Sequence, residues 1–433
     1  EVVDRARIAE LPLNGRDAAR LTTLVAGTVI DTVSAETGKS IPGGLRLSSN
    51  GAQARQVAFK LDGVSNTDFY FQENQTFPFP DALQEFSIQT SNYSAAQGNN
   101  AGAVVNVVTR SGTNELHGGV FEFARNRVFN ARNFFAKERD FLKRNQFGAF
   151  GGGPVVLPGY DGRNKTFFFL GWQGTRIRNR ANDVSTFAPT VSQRNGDFSS
   201  LLSGTNKVFL KDPLLTGTCN ATVQTACFPN NQIPISRFDP ATVNVLKFIP
   251  AVGGTGQVVF ARNIAQELDQ GVAKIDHQLS VKDRLSGGYF IDHFRNAAIF
   301  NDDNLLTYGG GSNQSRVRTQ NTALSWTRTF SPTVLNEFNF GYNRIHSRRG
   351  PPSGVPSMKD LGVRLPLYPT LPSIQQISVS GFFQIGDNLE AAFVRNGFEW
   401  SNRTSWVMGR HSLQFGGEIA RYRVDIANEF RRA

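Results

Sequence analysis

Along this chain apolar and polar residues alternate in short runs. The clearest run puts Ala273, Ile275, Leu279 and Val281 on one face and Lys274, Asp276, Gln278 and Ser280 on the other, the period-two signature of a strand. Lys282-Asp283-Arg284 turns the chain, and Leu285, Gly287, Tyr289 and Ile291 resume the apolar face. A second predicted hairpin runs through Thr322, Leu324 and Trp326, turns at Ser331-Pro332-Thr333, and returns through Val334, Phe338, Phe340 and Tyr342. A third passes Trp400 and Trp406, turns at Met408-Gly409-Arg410-His411, and leaves through Leu413, Phe415, Gly417 and Ile419. Strands near 117–126, 145–155 and 165–178 bring the expectation to about nine, each near the roughly 9–11 residues that a tilted membrane-spanning strand needs.

The connections between these runs are unequal. Tight turns at 282–284, 331–333 and 408–411 alternate with long excursions at 179–271, 295–314 and 347–393. Short turns on one rim and long loops on the other belong to an up-and-down membrane barrel. Trp326, Phe330, Trp406 and Phe415 beside the tight turns suit an interfacial aromatic girdle. Bacterial single-chain barrels use an even number of strands, and about nine would leave two edges unpaired in hydrocarbon. The sequence therefore reads as a fragment that stops inside its barrel. A secreted β-sandwich or propeller enzyme would need polar residues where Leu324, Trp326, Phe338 and Phe340 stand, since such an exposed apolar set invites aggregation.

Residues 1–112 follow another pattern. Asp17–Val25 carries apolar residues at helical spacing, with Asn14 or Asp17 as candidate caps. Val57, Phe59 and Leu61 share one face of a run that ends in the turn Asp62-Gly63. Leu83–Gln89 alternates again, and Gly102–Val108 reads as a more buried strand. Helix and strands mixed in this way predict a compact α+β domain, followed over 113–433 by part of a large antiparallel barrel with a long external loop at 179–271.

Composition narrows the class. The chain has 42 Gly and 36 Phe but 2 Met, and no apolar run long enough for a spanning helix. Its formal charge is +11, yet the basic residues are dispersed in pairs such as Arg348-Arg349. Nucleic-acid binding would focus them on one face beside a recognition motif; contact with anionic lipid headgroups, or a solvated loop surface, explains them more plainly. Cys219 and Cys227 sit in a polar segment without a nearby His. That disfavours zinc and favours a local disulfide in an oxidising compartment, with free thiols as the alternative.

Candidate chemistry is sparse. Gly38-Lys39-Ser40 lacks the preceding glycine of a phosphate loop, Val33 standing in its place. Gly151-Gly152-Gly153 lacks the following Lys, and reads as a strand end that lets another segment approach. Asp302 and Asp303 lack calcium-ligand spacing and read as a solvated turn. The sequons at Asn74, Asn92 and Asn220 read as incidental. The five histidines are scattered, and no nucleophile elbow or carboxylate pair points to catalysis. No catalytic residue, metal ligand set or cofactor is expected. Lys274, Asp276, Gln278, Glu337, Asn339 and Glu418 fall on inward faces. They are candidates to line a lumen or to meet the N-terminal domain, or else wall residues that satisfy one another.

Several motifs in order carry a family resemblance. Ile8-Ala9-Glu10-Leu11-Pro12-Leu13-Asn14-Gly15-Arg16-Asp17 looks like the start of the plug in TonB-dependent receptors of the Oar-like group, which usually carry a carboxypeptidase-regulatory-like domain. Leu61, Asp62, Gly63 and Val64 are similar to a plug motif of that group. Gly98, Gly102, Asn106, Thr109 and Gly112, within the stretch that leads to Val120-Phe121-Glu122-Phe123, resemble the handover from plug to barrel. The segments Ala188-Pro189-Thr190, Arg194–Ser199, Asp212-Pro213 and Asn231–Pro240 resemble an external loop of the same receptors. No TonB box, regulatory-like domain or signal peptide stands ahead of the plug in this sequence.

The resemblance implies a bacterial outer-membrane protein with a barrel of about 22 strands around a plug. It implies energised uptake of a scarce or large extracellular substrate, driven by the inner-membrane TonB-ExbB-ExbD complex. It further implies a wall in contact with outer-membrane lipid and lipopolysaccharide. A surface adhesin or a secretion channel on the same plugged barrel is the alternative, although an adhesin has no need to block its own pore.

Overall fold

A computed structural model describes residues 2–11, 13–30, 44–91, 93–97, 100–132, 139–180, 184–203, 205–261, 263–297, 300, 304–308, 314–364, 374–386 and 389–430. Gly98, Asn92, the 38–40 segment, Asp302 and Asp303 lie outside the described residues.

The N-terminal domain is built on a five-stranded sheet in the order β1 (Val2–Asp4), β4 (Leu83–Gln89), β5 (Val104–Thr109), β2 (Ala58–Leu61), β3 (Val64–Ser65). Strands β2 and β5 run parallel and the other pairs antiparallel. Helix α1 (Arg5–Glu10), capped by the Asp4 carboxylate, packs Ile8 against the sheet. The core holds Leu21, Val57, Phe59, Leu61, Phe86 and Val105, all below 4 % exposure. Val57, Phe59 and Leu61 thus share the face that their alternation predicts. The helix expected over 17–25 forms as a 3-10 helix over Ala18–Leu24, with Asp17 capping Ala19 N. The hydroxyls of Thr22 and Thr23 take up the carbonyls three residues back, which competes with α-helical bonding.

The second unit is one antiparallel sheet of nine strands in chain order. They are β6 (His117–Asn126), β7 (Lys143–Pro154), β8 (Thr166–Arg180), β9 (Asn263–Ser280) and β10 (Asp283–Ala297), then β11 (Gln314–Ser331), β12 (Val334–Gly350), β13 (Leu389–Met408) and β14 (His411–Phe430). It curves around the N-terminal domain. Ile275, Leu279, Leu324, Trp326, Trp400 and Ile419 on the outer face are 38–72 % exposed. On the inner face, Gln270, Val272, Phe290, Asn321 and Arg395 are buried.

Most of these strands outrun the expected 9–11 residues, reaching 20 in β13 and β14. The long external excursion correspondingly shrinks from 179–271 to the residues between Arg180 and Asn263. The upper part of β9 hides its alternation because Glu267 and Asp269 are polar on the outer face, where they pair with Arg178 and Arg176 of β8.

The external segments do not run loose. Ala188, Ile249, Leu305, Leu306, Tyr308, Leu361, Ile374 and Ile385, drawn from three separate loops, form a second apolar core. Arg194 stitches it by donating to the carbonyls of Leu246, Ile249 and Pro250. Cys219 and Cys227 form a disulfide in this region.

Candidate functional site

The candidate site is the surface along which the N-terminal domain, the plug, meets the inner wall. It begins at the β2–β3 turn, where Asp62 (φ 49°) and Gly63 (φ 85°) both take positive φ, as the tightest hairpin turns require. Asp62 Oδ1 and Oδ2 accept from the backbone N–H (2.9 Å) and Oγ1 (2.6 Å) of Thr109. Lys274 of β9 donates from Nζ to Asp62 Oδ1 at 3.0 Å and to the Thr109 carbonyl at 3.1 Å. One wall lysine therefore closes a network between two plug strands, with side chains 8 % and 12 % exposed for Lys274 and Asp62.

Beyond the turn, Val64 seats against Gly341 of β12. Ser65 N–H donates to Glu399 Oε2 of β13 at 3.0 Å. Asn321 of β11 and Asn343 of β12 donate to the Ser65 carbonyl, and Asn321 also to Asn66 Oδ1. Then comes the most buried charge pair among the described residues: Asp68 of the plug with Arg395 of β13, both fully buried. The Arg395 guanidinium also lies 5.1 Å from the centre of the Phe71 ring. Burial pushes the Asp68 carboxyl above the usual carboxylate range, while Arg395 and the N–H groups of Tyr70 and Phe71 pull it back. Phe69 packs at a tilt against Tyr422 of β14 with centroids 4.3 Å apart.

The opposite flank of the plug is apolar. Phe77 and Phe79 share one core with Phe169, Val272 and Phe290 of the wall, and Phe121 and Phe150 pack onto it. Arg16, paired with Asp81, lies 4.0 Å from the Phe123 ring centre, and Arg110 lies 4.9 Å from that of Phe150. Burial holds the Arg16 guanidinium below its ordinary pKa, with Asp81 opposing the shift. Near the outer rim, the Gly15 carbonyl accepts from Gln146 (2.9 Å) and Asn14 from Arg144 (3.1 Å). A cavity of about 190 Å³ opens there, lined by Arg16, Asp17, Arg144, Gln146, Gln173 and Gln270 among others.

The remaining motif residues act in the backbone. Leu61 is in the plug core. Gly102 N–H donates to the Gln56 carbonyl. Asn106 sits on β5 between Lys60 and Ser87. Gly112 carries the linker so close to the wall that a Cβ would fall 2.3 Å from the Phe168 carbonyl and 2.7 Å from that of Gly153, so that the linker runs against the triple-glycine strand end.

Of the six inward wall residues, Lys274 alone has a hydrogen bond to the plug among the described residues. Asp276 pairs with Arg284, Gln278 binds the carbonyls of Ser280 and Asp283 at the inner turn, and Glu337 pairs with Arg403. Asn339 and Glu418 flank Ser401 on the same inner face. The sequence reading missed Arg395, Glu399, Asn321 and Asn343. Their parity was legible, since odd positions of β13 face away from outward Trp400 and Trp406. Asp68, Arg16 and Asp81 carried no such signal.

The family model described as "Outer membrane beta barrel domain" matches residues 108–432. The TonB-dependent transporter Oar of Myxococcus xanthus is 30 % identical over an alignment of 134 residues that covers 29 % of this chain and 12 % of that protein. Among solved structures, the siderophore receptor PirA from Acinetobacter baumannii aligns over 98 % of this chain and 48 % of its own, with a TM-score of 0.55 and 13 % identity. The outer membrane transporter YddB from Escherichia coli has the same coverage and TM-score at 11 % identity. At such identities the likeness is one of fold. The chain thus spans about half the length of these structures.

Proposed function

Because the chain belongs to the outer-membrane β-barrel domain family, we propose that it forms the plug and first barrel strands of a TonB-dependent transporter that draws a scarce or large substrate across the outer membrane. The observation that carries this is the plug itself, a folded domain whose core continues into the wall at Phe169, Val272 and Phe290 and which meets the rest of the inner wall through polar groups. Its named relatives are two transporters and a receptor, not enzymes.

The chemistry of the contacts supports a plug that moves. Each neutral hydrogen bond to the wall is worth about 0.5–1.5 kcal/mol net, because water replaces it when the partners part. A pull on the plug from the inner-membrane TonB-ExbB-ExbD complex would break these bonds one after another, with water entering behind. Asp68–Arg395 resists longest on its flank, since parting strands two buried charges. Substrate would arrive at the external loops and reach the polar cavity beside Arg16 and Arg144. The wall would contact outer-membrane lipid and lipopolysaccharide.

The test is a clean deletion of the gene, followed by growth and uptake across iron-chelate, glycan and peptide sources. Loss of uptake of one source, restored by the gene in a TonB-competent strain and not in a TonB-deficient one, is expected. Unchanged uptake with lost surface attachment or protein secretion would overturn the importer and promote an adhesin or export channel.

A further inference from the structure

The cavity between the plug and the outer rim holds two kinds of unmet polar group, one at its mouth and one at its floor. At the mouth, Arg125 of β6 stands directly opposite Arg144 of β7. Both guanidiniums donate to one neutral atom of the plug, Asn14 Oδ1, at 3.4 and 3.1 Å. Like charges directly opposite in a sheet destabilise it, and neither arginine has a carboxylate partner among the described residues. The acids nearby are engaged elsewhere. Asp17 and Glu267 of the cavity wall pair with Arg20 and Arg178, Asp81 pairs with Arg16, and Asp140 meets Arg125 through the Asn130 amide. Arg125 is exposed and Arg144 half-buried, so an anion can reach both.

The floor calls for donors instead. Gln173 of β8 and Gln270 of β9 are directly opposite each other, 3 % and 4 % exposed, and neither Oε1 has a hydrogen-bond partner. Gln270 directs its Nε2 to the Phe77 carbonyl and Asp292, which leaves its oxygen unmet. A buried amide oxygen without a donor is costly. The row between mouth and floor offers little more hydrogen bonding. Gln146 is already bonded to Gly15 and Thr175, and Leu268 and Phe294 are apolar. Ile177, directly opposite Arg144, is four residues along β8 from Gln173, about 14 Å at about 3.4 Å per residue.

We infer that this cavity takes a short acidic peptide, amino end first, with its N–H groups on the Gln173 and Gln270 oxygens and a carboxylate at Arg125 and Arg144. An extended chain covers the distance with roughly three or four residues. Guanidinium pairs bidentately with carboxylate. An inorganic anion has no N–H for the floor, and the hydroxyls of a sugar ring would find no partners on Leu268 and Phe294. At about 190 Å³ the cavity is below the roughly 300 Å³ at which pockets for whole small molecules begin, so it suits the end of a chain. The inference rests on the reading of this cavity as the place where substrate arrives, and adds the class of substrate.

The test uses the protein extracted from outer membranes in detergent, with binding measured by isothermal titration calorimetry. The probes are tetraalanine, its C-terminal amide, the same amide ending in aspartate, succinate and trigalacturonate. A carboxylate form of the peptide is expected to bind at least tenfold tighter than the plain amide. Preference for tetraalanine assigns the chain terminus as the source of the carboxylate, and preference for the aspartate form assigns a side chain. R125Q/R144Q should erase the preference, whereas Q173L should weaken every peptide and keep their ratio. Equal binding of all three peptides by the unaltered protein overturns the proposal, and that arm needs no variant. Succinate binding as tightly as the peptide would make this a small-anion site, and tighter binding of trigalacturonate a glycan site; either overturns the peptide assignment. TonB-dependent uptake of another source without peptide binding would sink this inference and leave the importer standing. Peptide binding without TonB-dependent uptake would do the reverse.

Discussion

The two flanks of the plug are held by different physics. Against β6–β10, Phe77 and Phe79 merge with Phe169, Val272 and Phe290 into one apolar core. Against β11–β13, the contacts are Ser65 with Glu399, Asn321 and Asn343, and Asp68 with Arg395. Lys274, the ammonium on Asp62, stands at the border between the two. Apolar burial has no direction and fails only when water floods the whole patch. Hydrogen bonds fail singly and exchange for water at little net cost. In the proposed transport cycle, the flank nearest the covalent tether at Gly112 would be the hinge side, and the polar flank the side that parts.

The comparison is most severely tested at Arg395. Replacement by alanine leaves the Asp68 carboxylate buried and unpaired, at a cost of about 3–5 kcal/mol. The urea midpoint for release of a plug-borne fluorophore should fall accordingly, and the double variant D68L/R395L should recover most of the loss. No recovery would mean that the pair is not a latch. On the other flank, Phe79→Ala should cost about 3 kcal/mol through lost burial and a cavity. Its signature should be a reduced heat-capacity change of plug release, which R395A leaves intact. If both variants lower it equally, the two flanks are not physically distinct.

Lys274→Met sharpens the border between them. It removes two donors from Asp62 and Thr109 while keeping the stem, and should weaken plug docking by about 1–3 kcal/mol. Because the pair is shielded, the loss should persist in high salt; a loss abolished by salt would place the pair in solvent.

The smallest effect is on pH. Burial pushes the Asp17 carboxyl up to about 6. The folded plug therefore holds this proton more tightly than the unfolded chain, and stability falls as pH rises from about 4 to 6. The side chain keeps 26 % of its surface, so screening should trim the effect to roughly 1 kcal/mol. Asp17→Asn should flatten plug stability over that window, measured by the same urea midpoint; an unchanged slope would assign the pH dependence elsewhere.

Much of the wall was legible because alternation is local. The turns after Ser280, Ser331 and Met408, and the faces of Ile275, Leu324 and Trp400, follow from neighbours two residues apart. The upper strands were less so, because Glu267 and Asp269 are polar outside as well as beyond the membrane. The shared core of the external loops was hidden altogether, since Ala188, Leu305 and Ile374 come from segments with no periodicity in common.

In the candidate site the same division holds. Lys274, Asp276 and Glu337 could be assigned to the inner face from parity alone, yet parity does not say which of them meets the plug. The chain by itself determined strand, face, turn and the junction motif ending at Gly112, because each depends on residues close in sequence. Only the tertiary structure decided that Asp68 meets Arg395 and Asp62 meets Lys274. Partners so distant are chosen by strand tilt, register and the depth at which the plug sits, and no local pattern encodes those.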